Sequence, residues 1–303
     1  MSVRFDGRVA IVTGAGGGLG RSHALGLAAR GAKVVVNDLG PDGQPSAGTL
    51  KVVDEIISGG GEAIANGADI TNAAQVAALV EDAERRWGKV DILVNNAGIL
   101  RDKSFAKMEM ADFELVVKVH LLGSALCAKA VWNGMRERNY GRILFTSSGS
   151  GLYGNFGQSN YGAAKAAMVG LMNVLHLEGQ KNNVRVNTLA PTALTRMTEG
   201  LLPKEAGEVL TAESVTPAVL FLVGEDAPSR VIMGAGAGVF AVTHIAETPG
   251  VYLPEAERTP EGIAAHFAEI SDRSKATPLE NAFQQTFKFA ATAVREKGGQ
   301  LKM

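Results

Sequence analysis

The chain has 303 residues, of which 46% are hydrophobic, and its 30 lysines and arginines nearly balance its 31 aspartates and glutamates. That hydrophobic fraction suffices for a large packed core and argues against disorder, while the balanced charge argues against nucleic acid or an anionic membrane as the main partner. A single cysteine, Cys127, excludes an intramolecular disulfide, and the five histidines are scattered, so the sequence predicts neither an oxidising compartment nor a metal site.

Apolar, β-branched runs alternate with helical patterns along the first 240 residues. The runs are almost continuously hydrophobic, as in parallel strands that helices cover on both faces. Helical patterns lie between them, such as residues 72–88, which Asp69 or Thr71 could cap, and a longest helix near 111–139. The alternation predicts an α/β fold, a doubly wound parallel (Rossmann) sheet of about seven strands with helices on both faces. The predicted strands are 8–14, 33–38, 62–67, 90–96, 142–148, 183–191 and 231–240.

The composition changes after Phe240. A turn-rich stretch is followed by two helical patterns, one with Pro260 in its first turn and one from Leu279 to Lys297. We therefore divide the chain into a Rossmann domain, 1–240, and a C-terminal extension, 241–303, which is too short to fold alone. Its apolar residues recur at helical spacing, so we expect the extension to pack on the same domain or on a dimer partner. No signal-peptide pattern precedes the first strand and no run of uncharged apolar residues predicts a membrane span, so we expect a cytoplasmic protein.

A glycine-rich loop follows the first strand and opens a helix. Gly14, Gly18 and Gly20 allow the backbone to approach a pyrophosphate, and the helix that begins at Leu19 offers free N–H groups and the positive end of its dipole. Asp38 ends the next strand, where a carboxylate can accept hydrogen bonds from both ribose hydroxyls of NAD and would repel the 2′-phosphate of NADP. These residues predict NAD as the cofactor, and Arg21 leaves NADP as a minor alternative.

The stretch "SSGSGLYGNFGQSNYGAAK" (147–165) has no charged side chain between Ser148 and Lys165. Tyr161 and Lys165 are four residues apart and share one face of a helix, so the ammonium could stabilise the phenolate and lower the tyrosine pKa. The neutral, glycine-rich segment before them would suit an apolar substrate, with Leu152, Tyr153 and Phe156 as candidate lining residues. Ordinary loop packing explains each of these three equally well.

Together with the glycine loop, "NNAG" at 95–98 and Tyr161-x-x-x-Lys165 resemble the motifs of the short-chain dehydrogenase/reductase family over residues 5 to about 240. The stretches "VNDLG", "NNAGILRDKSF" and "VHLLGS" resemble more closely one branch, the (3R)-hydroxyacyl-CoA dehydrogenase unit of peroxisomal multifunctional enzymes type 2 and its bacterial single-unit relatives. The segment "TPEGIAAHFAEISDRSKATPLENAF" resembles the one that follows the catalytic domain in that branch.

The resemblance implies a set of site residues. Ser148 would bind the substrate oxygen and Tyr161 would take the alcohol proton, while Lys165 would hold the nicotinamide ribose. His120 stands where many members carry an asparagine that helps to relay protons, and it could take over that relay through its backbone or a water, or be a core histidine. The implied substrate contacts are Ser148, Tyr153, Phe156 and Tyr161, and the implied cofactor contacts are Gly14, Gly18, Leu19, Gly20, Asp38, Asp69, Ile70, Asn96, Ala97, Gly98, Tyr161, Lys165, Pro191, Ala193 and Thr195.

The function that the resemblance implies is NAD-dependent interconversion of a (3R)-3-hydroxyacyl-CoA and its 3-oxoacyl-CoA. The alternatives are a reductase of a 3-oxoacyl group or steroid-type ketone and, from a different class, a non-catalytic NAD-binding scaffold. Candidates for the CoA phosphates are the basic side chains of Arg101, Lys103, Arg196 and Lys204, each of which could equally be a surface charge. The partner expected is a small-molecule substrate, with no nucleic acid or membrane, and the family implies a homodimer or tetramer paired through helices near 111–139 and 159–180.

Overall fold

The structure is a computed structural model that describes residues 2–193 and 204–301. The chain forms two compact units, residues 1–242 and 243–303. The first unit contains an eight-stranded sheet with helices on both faces, which confirms the predicted doubly wound fold. Its strands are β1 (Val9–Thr13), β2 (Lys33–Asn37), β3 (Glu62–Asn66), β4 (Ile92–Asn95), β5 (Gly141–Thr146), β6 (Val184–Pro191), β7 (Ile232–Gly236) and β8 (Val239–Thr243).

Nine described helices belong to this unit, with short 3-10 turns between some of them. They are α1 (Gly18–Ala28), α2 (Ala47–Ser58), α3 (Ala73–Trp87), α4 (Met110–Val117), α5 (Gly123–Glu137), α6 (Gly149–Tyr153), α7 (Ser159–Gly179), α8 (Lys204–Val209) and α9 (Ala212–Leu222). The cap of α3 is Asn72, whose side chain accepts from the N–H groups of Ala74 and Gln75, and not the predicted Asp69 or Thr71. Asp69 instead accepts from the N–H of Thr71 in the preceding turn.

The strand order is β3-β2-β1-β4-β5-β6-β7-β8, and the pairings from β3 to β7 are parallel. The chain therefore winds outward in one direction from β1 to β3 and in the other direction from β4 onward. At such a switch point the loops after two neighbouring strands diverge and leave a crevice at the carboxyl edge of the sheet. Here those loops follow β1 and β4, which carry the glycine loop and the "NNAG" segment.

Two apolar layers sandwich the sheet because successive side chains of a strand point to opposite faces. On one face Val12 and Val34 pack with α1 and α9, and on the other Ile11 and Val35 pack with α3, α5 and α7. The two layers hold both helix sets in fixed positions, so loop residues at the carboxyl edge have a rigid base.

Residues 231–240, predicted as one strand, form a hairpin. Ala237 and Gly238 connect β7 to β8, and both have positive φ angles, 50° and 76°. Two left-handed residues in a two-residue loop make a type I′ turn, which reverses the chain. The sheet therefore gains an eighth, reversed strand beyond the roughly seven that were predicted.

The predicted longest helix is interrupted by a π turn, Lys118–Leu122, between α4 and α5. Counted together with the π turn, the helical segment Met110–Glu137 is long and apolar enough to cross a membrane by length and composition alone. A buried core helix passes the same test, and α5 packs Cys127, Val131 and Trp132 into the second apolar layer.

Arg142 is a fully buried arginine in β5, with no exposed surface. Its guanidinium donates hydrogen bonds of 2.7–2.9 Å to the backbone oxygens of Gly141, Asn183, Gly224 and Glu225. A buried charge costs several kcal/mol unless its donors are satisfied, and here the donors meet four carbonyls. The residue joins β5 to the loops before β6 and after α9.

The second unit consists of α10 (Pro260–Ala265), α11 (Phe267–Ile270) and α12 (Ala282–Glu296), with turns between them. Thr259 caps α10 ahead of Pro260, and Asn281 caps α12. Glu247 binds Lys288 and Gln285 of α12, and its backbone pairs with that of Thr277. Phe283 and Phe289 of α12 are 73% and 53% exposed, although their spacing predicts a buried face.

Candidate active site

The glycine loop follows a backbone path that side chains would block. Gly14 has a φ of 64°, and a Cβ atom there would lie 2.7 Å from the Cα of Ala97. A Cβ atom on Gly20 would lie 2.2 Å from the Gly14 oxygen, so α1 packs directly beneath the loop. No side chain caps the start of α1, which leaves its first N–H groups available to an anion.

Asn96 joins the two loops at the switch point. Its Nδ2 donates to the backbone oxygens of Thr13 and Gly14, at 3.1 and 3.0 Å. In return, the Thr13 hydroxyl oxygen accepts from the N–H groups of Asn96 and Ala97, each at 3.1 Å. The "NNAG" segment is therefore fixed against the glycine loop by side chains from both.

A cleft of about 580 Å³ opens between these loops. It is lined by nine of the residues predicted for the cofactor, which are Gly14, Gly18, Leu19, Asp38, Asp69, Ile70, Asn96, Ala97 and Gly98. Ser46 and Gly48 also line it and were not predicted. Both residues come after the long turn that follows β2. They line the cleft because the start of α2 packs against the glycine loop.

Asp38 lies against the glycine loop. Its Oδ2 accepts a hydrogen bond of 2.9 Å from the N–H of Gly16, and a Cβ on Gly16 would lie 2.5 Å from that oxygen and 2.7 Å from the Ser46 hydroxyl. Burial raises the pKa of Asp38, and the N–H groups of Gly16 and Leu39 oppose that rise. The carboxylate and the Ser46 hydroxyl thus lie together at the rim of the cleft.

Ser148 and Tyr161 are brought together by two helix starts. Ser148 caps the short α6, and its hydroxyl oxygen accepts from the N–H of Ser150 at 3.2 Å. Tyr161, in the first turn of α7, hydrogen-bonds with Ser148 through its side chain. Because the Ser148 oxygen accepts from Ser150, its own proton can be donated either to the Tyr161 oxygen or to a substrate oxygen.

Lys165 lies beneath Tyr161 and is only 4% exposed. Its Nζ donates to the Thr146 oxygen at 2.6 Å and lies 5.6 Å from the centroid of the Tyr161 ring. Burial lowers the pKa of Lys165 to about 7. Burial also raises the pKa of Tyr161, although the hydrogen bond from Ser148 opposes that shift. The lowered tyrosine pKa expected from the sequence is therefore not found, because desolvation of the phenol outweighs the favourable contacts.

His120 lies in the π turn and is 2% exposed. Its Nε2 lies 3.1 Å from the nitrogen and 2.8 Å from the oxygen of Ile99, and its ring meets the Tyr161 ring edge-on at 5.2 Å between centroids. Burial, then the charge of Lys165, lowers the pKa of His120 to about 3, so the imidazole is neutral. Nδ1 is buried and has no protein partner among the described residues. The side chain fixes the loop after "NNAG" next to Tyr161.

The remaining predicted contacts lie apart from this group. Tyr153 and Phe156 are 75% and 90% exposed, so they do not form a closed pocket wall. Pro191 ends β6, and Ala193 packs against the first apolar layer. Thr195 and Arg196, like the side chain of Lys204, lie outside the described residues.

The basic side chains predicted for CoA differ in their surroundings. The Arg101 guanidinium lies 3.5 Å from the carboxylate of Asp112 and also donates to the Leu100 oxygen. Lys103 is exposed. Arg101 is therefore already engaged by a carboxylate of its own unit.

Known proteins match this chain over most of its length. The family described as short chain dehydrogenase matches residues 8–206. Peroxisomal multifunctional enzyme type 2 of Mus musculus is 45% identical over 291 residues, which are 94% of this chain and 39% of that protein.

Solved structures agree with these matches. Full-length peroxisomal multifunctional enzyme type 2 from Drosophila melanogaster aligns with a TM-score of 0.82 and 38% identity, over 97% of this chain and 50% of that chain. The structure of 7α-hydroxysteroid dehydrogenase complexed with NADH and 7-oxo glycochenodeoxycholic acid aligns with a TM-score of 0.71 and 34% identity, over 78% of this chain and 95% of that chain. The chain thus spans half or less of the length of these two multifunctional enzymes.

Proposed function

Because the chain belongs to the short-chain dehydrogenase family, and so is an oxidoreductase that uses a nicotinamide cofactor, we propose that it oxidises a (3R)-3-hydroxyacyl-CoA with NAD. The observation that carries the reaction type is the hydrogen-bonded pair of Ser148 and Tyr161 above the buried Lys165. The acyl-CoA substrate is supported by the 45% identity to an enzyme named peroxisomal multifunctional enzyme type 2.

The residues of the cleft fit a nicotinamide dinucleotide. Side chains at Gly14 and Gly20 would collide with Ala97 and with the Gly14 oxygen, so glycines are needed for this loop path, and the start of α1 supplies N–H donors for a pyrophosphate. Asp38 lies at the rim, where its carboxylate would accept from the adenosine ribose hydroxyls. The preference for NAD over NADP rests on this carboxylate, since it would repel a 2′-phosphate.

The chain's own residues would handle the proton. With substrate bound, Ser148 would donate its proton to the substrate oxygen, which holds the alcohol carbon in place. Tyr161 accepts the alcohol proton as the phenolate, which the charged form of Lys165 favours, and becomes the neutral phenol. When bound, the nicotinamide cofactor supplies the acceptor for the hydrogen and electron pair that leave the alcohol carbon. In ketone reduction the same groups act in reverse, with the neutral phenol that burial favours as the acid.

A turnover assay tests the proposal. Purified protein would be offered CoA thioesters of different acyl length, each with NAD and with NADP, and reduced cofactor would be followed by its absorbance. A bile-acid alcohol belongs in the same panel, because the hydroxysteroid dehydrogenase structure shares 34% identity with this chain. Preferred turnover of the bile acid would replace the acyl-CoA proposal, and binding of NAD without any turnover would favour a scaffold.

Assembly and location remain part of the proposal. Exposed apolar side chains lie on the helices by which family members pair, Leu115 and Leu122 on the 110–137 helix and Val174 and Leu177 on α7. Such residues support a homodimer or tetramer. A cytoplasmic location stays an expectation from the sequence.

A further inference from the structure

The side-chain amide of Gln158 joins three segments around the candidate catalytic pair. Its Nε2 donates to the Asp102 carboxylate at 2.7 Å, in the loop after β4. Its Oε1 accepts from the Ser150 hydroxyl at 2.7 Å and from the Asn155 amide at 3.1 Å, in the segment between β5 and α7. Gln158 lies within the stretch 147–165, but the sequence predicts no role for it in the site.

The orientation of this amide is fixed by its partners. A carboxylate can only accept, so the NH₂ group of Gln158 must face Asp102 and its oxygen must face Ser150. The hydrogen bond to an ionised group is also the stronger kind. The opposite arrangement would set the amide oxygen against the Asp102 carboxylate and the NH₂ group against the Asn155 amide, so it is disfavoured.

The network leads directly to the two residues that handle the substrate oxygen. Ser150, which Gln158 holds by its hydroxyl, donates its N–H to the Ser148 oxygen at 3.2 Å. Gln158 itself precedes the first turn of α7, and its backbone oxygen accepts from Gly162, next to Tyr161, at 2.6 Å. The Asp102 carboxylate is near enough to raise the pKa of Tyr161. The single residue Gln158 therefore contacts the segments that position both Ser148 and Tyr161.

We propose that Gln158 is a positioning residue, which sets the Ser148 hydroxyl against Tyr161 by holding Ser150 on one side and the Asp102 loop on the other. This role rests on the proposed alcohol dehydrogenase function. Gln158 touches neither substrate nor cofactor in this scheme. Its loss should lower kcat, because Ser148 would no longer direct its proton to the substrate oxygen, and should leave NAD binding unchanged.

Swapping the amide and the carboxylate tests the proposal. Gln158→Glu places a second carboxylate against Asp102, and we expect kcat to fall about 10-fold or more, as for loss of a hydrogen bond to a charged group. Asp102→Asn alone keeps an acceptor for Gln158, so its loss of kcat should be smaller. The double variant Asp102→Asn/Gln158→Glu restores a donor facing a carboxylate, and kcat should recover to within about 3-fold of the Asp102→Asn value.

A matched control carries the same change in charge away from the network. Gln180 is exposed and follows the other end of α7, about 30 Å along the helix, so Gln180→Glu should leave kcat unchanged. NAD affinity and the unfolding midpoint would be measured for every variant. Recovery of kcat in the double variant at unchanged NAD affinity supports positioning if every variant unfolds well above the assay temperature, because each kcat value then reports fully folded protein.

Two results would overturn the positioning role of Gln158 without overturning the proposed function. One is full activity in Gln158→Glu, and the other is a double variant no faster than Gln158→Glu, with unmodified protein active in both cases. If the unmodified protein oxidised no alcohol in the panel, the proposed function would fail first, and the positioning role would fail with it.

Discussion

The Nζ atom of Lys165 lies 5.6 Å from the centroid of the Tyr161 ring. Lys165 is buried and Tyr161 is half-buried, and burial lowers the pKa of Lys165 to about 7 from 10.5. Between these two pH values the unfolded chain binds more protons than the folded chain, so the free energy of unfolding rises with pH across that window. Below pH 7 the cost of the buried ammonium is fully present.

Lys165→Met should therefore stabilise the fold more at pH 6 than at pH 9. Calorimetric unfolding midpoints of the variant and the unmodified protein give this difference, which we expect to be a few degrees larger at the lower pH. The exposed Lys129 provides the control, since Lys129→Met should give the same small change at both values. An equal gain at pH 6 and pH 9 for Lys165→Met would contradict the lowered pKa.

Tyr161→Phe should keep the fold and NAD binding but lose turnover. The substitution removes one oxygen, and with it the hydrogen bond to Ser148 and the proton acceptor. Loss of a general base costs about 10²–10⁴-fold in kcat. Steady-state kinetics with calorimetric titration of NAD separate the two effects, and a near-normal rate would show that another group takes the proton.

Asp38→Ala should erode the preference for NAD over NADP. One charged contact of this kind discriminates by about 1–3 kcal/mol, which corresponds to roughly 5- to 150-fold in the ratio of kcat/KM values. Asp54→Ala removes the same charge from the exposed side of α2 and should leave the ratio unchanged. Tighter binding of NADP than NAD by the unmodified protein would contradict the assignment of Asp38.

His120→Asn should retain more activity than His120→Ala. An asparagine offers both a donor and an acceptor to the Ile99 peptide that His120 contacts through Nε2, whereas alanine leaves that peptide unpaired next to Gly98. We expect the alanine variant to lose about 10-fold or more in kcat, in line with an unsatisfied buried group. Because burial holds the His120 pKa near 3, the pH–rate profile of the unmodified protein should show no step from this imidazole between pH 5 and 8.

Removal of the residues after Val242 should weaken self-association or raise KM for long acyl-CoA substrates, with little change in NAD affinity. The exposed Phe283 and Phe289 of α12 leave an apolar face on this unit, whereas the cleft residues all belong to the first unit. Sedimentation velocity and KM values across chain lengths give both readouts. A truncated protein that is dimeric with unchanged KM would contradict this role, and a monomeric full-length protein would contradict the dimer.

Much of the sheet could be predicted because buried parallel strands are continuous apolar runs. The observed bounds of β1, β2 and β3 fall within one residue of those predicted at each end. The hairpin of β7 and β8 could not be predicted, since "GAGAG" lacks the Asn-Gly signal of a type I′ turn and Ala237 must adopt a positive φ. The π turn was missed as well, because "KVHLL" has an ordinary helical pattern.

The candidate site, like the fold, could be predicted only in part. The glycine loop, Asp38 and the Tyr161–Lys165 pair follow from local spacing, and the structure places each beside its cleft or its partner. Burial decides the pKa directions at Tyr161 and Lys165, and spacing does not reveal how deeply a side chain is buried. Ser46 reaches the cleft, and Gln158 reaches Asp102, through contacts between separate segments of the chain, for which a single sequence carries no local pattern.

A substitution at Arg142 would lower the measured activity of a sample without changing any catalytic residue. Replacing it by an apolar residue would leave the oxygens of Gly141, Asn183, Gly224 and Glu225 without their donor, inside the protein. The consequence would be fewer folded molecules, each of them working at the normal rate. In a cell extract such a variant would be indistinguishable from a catalytic defect until the amount of folded enzyme was counted.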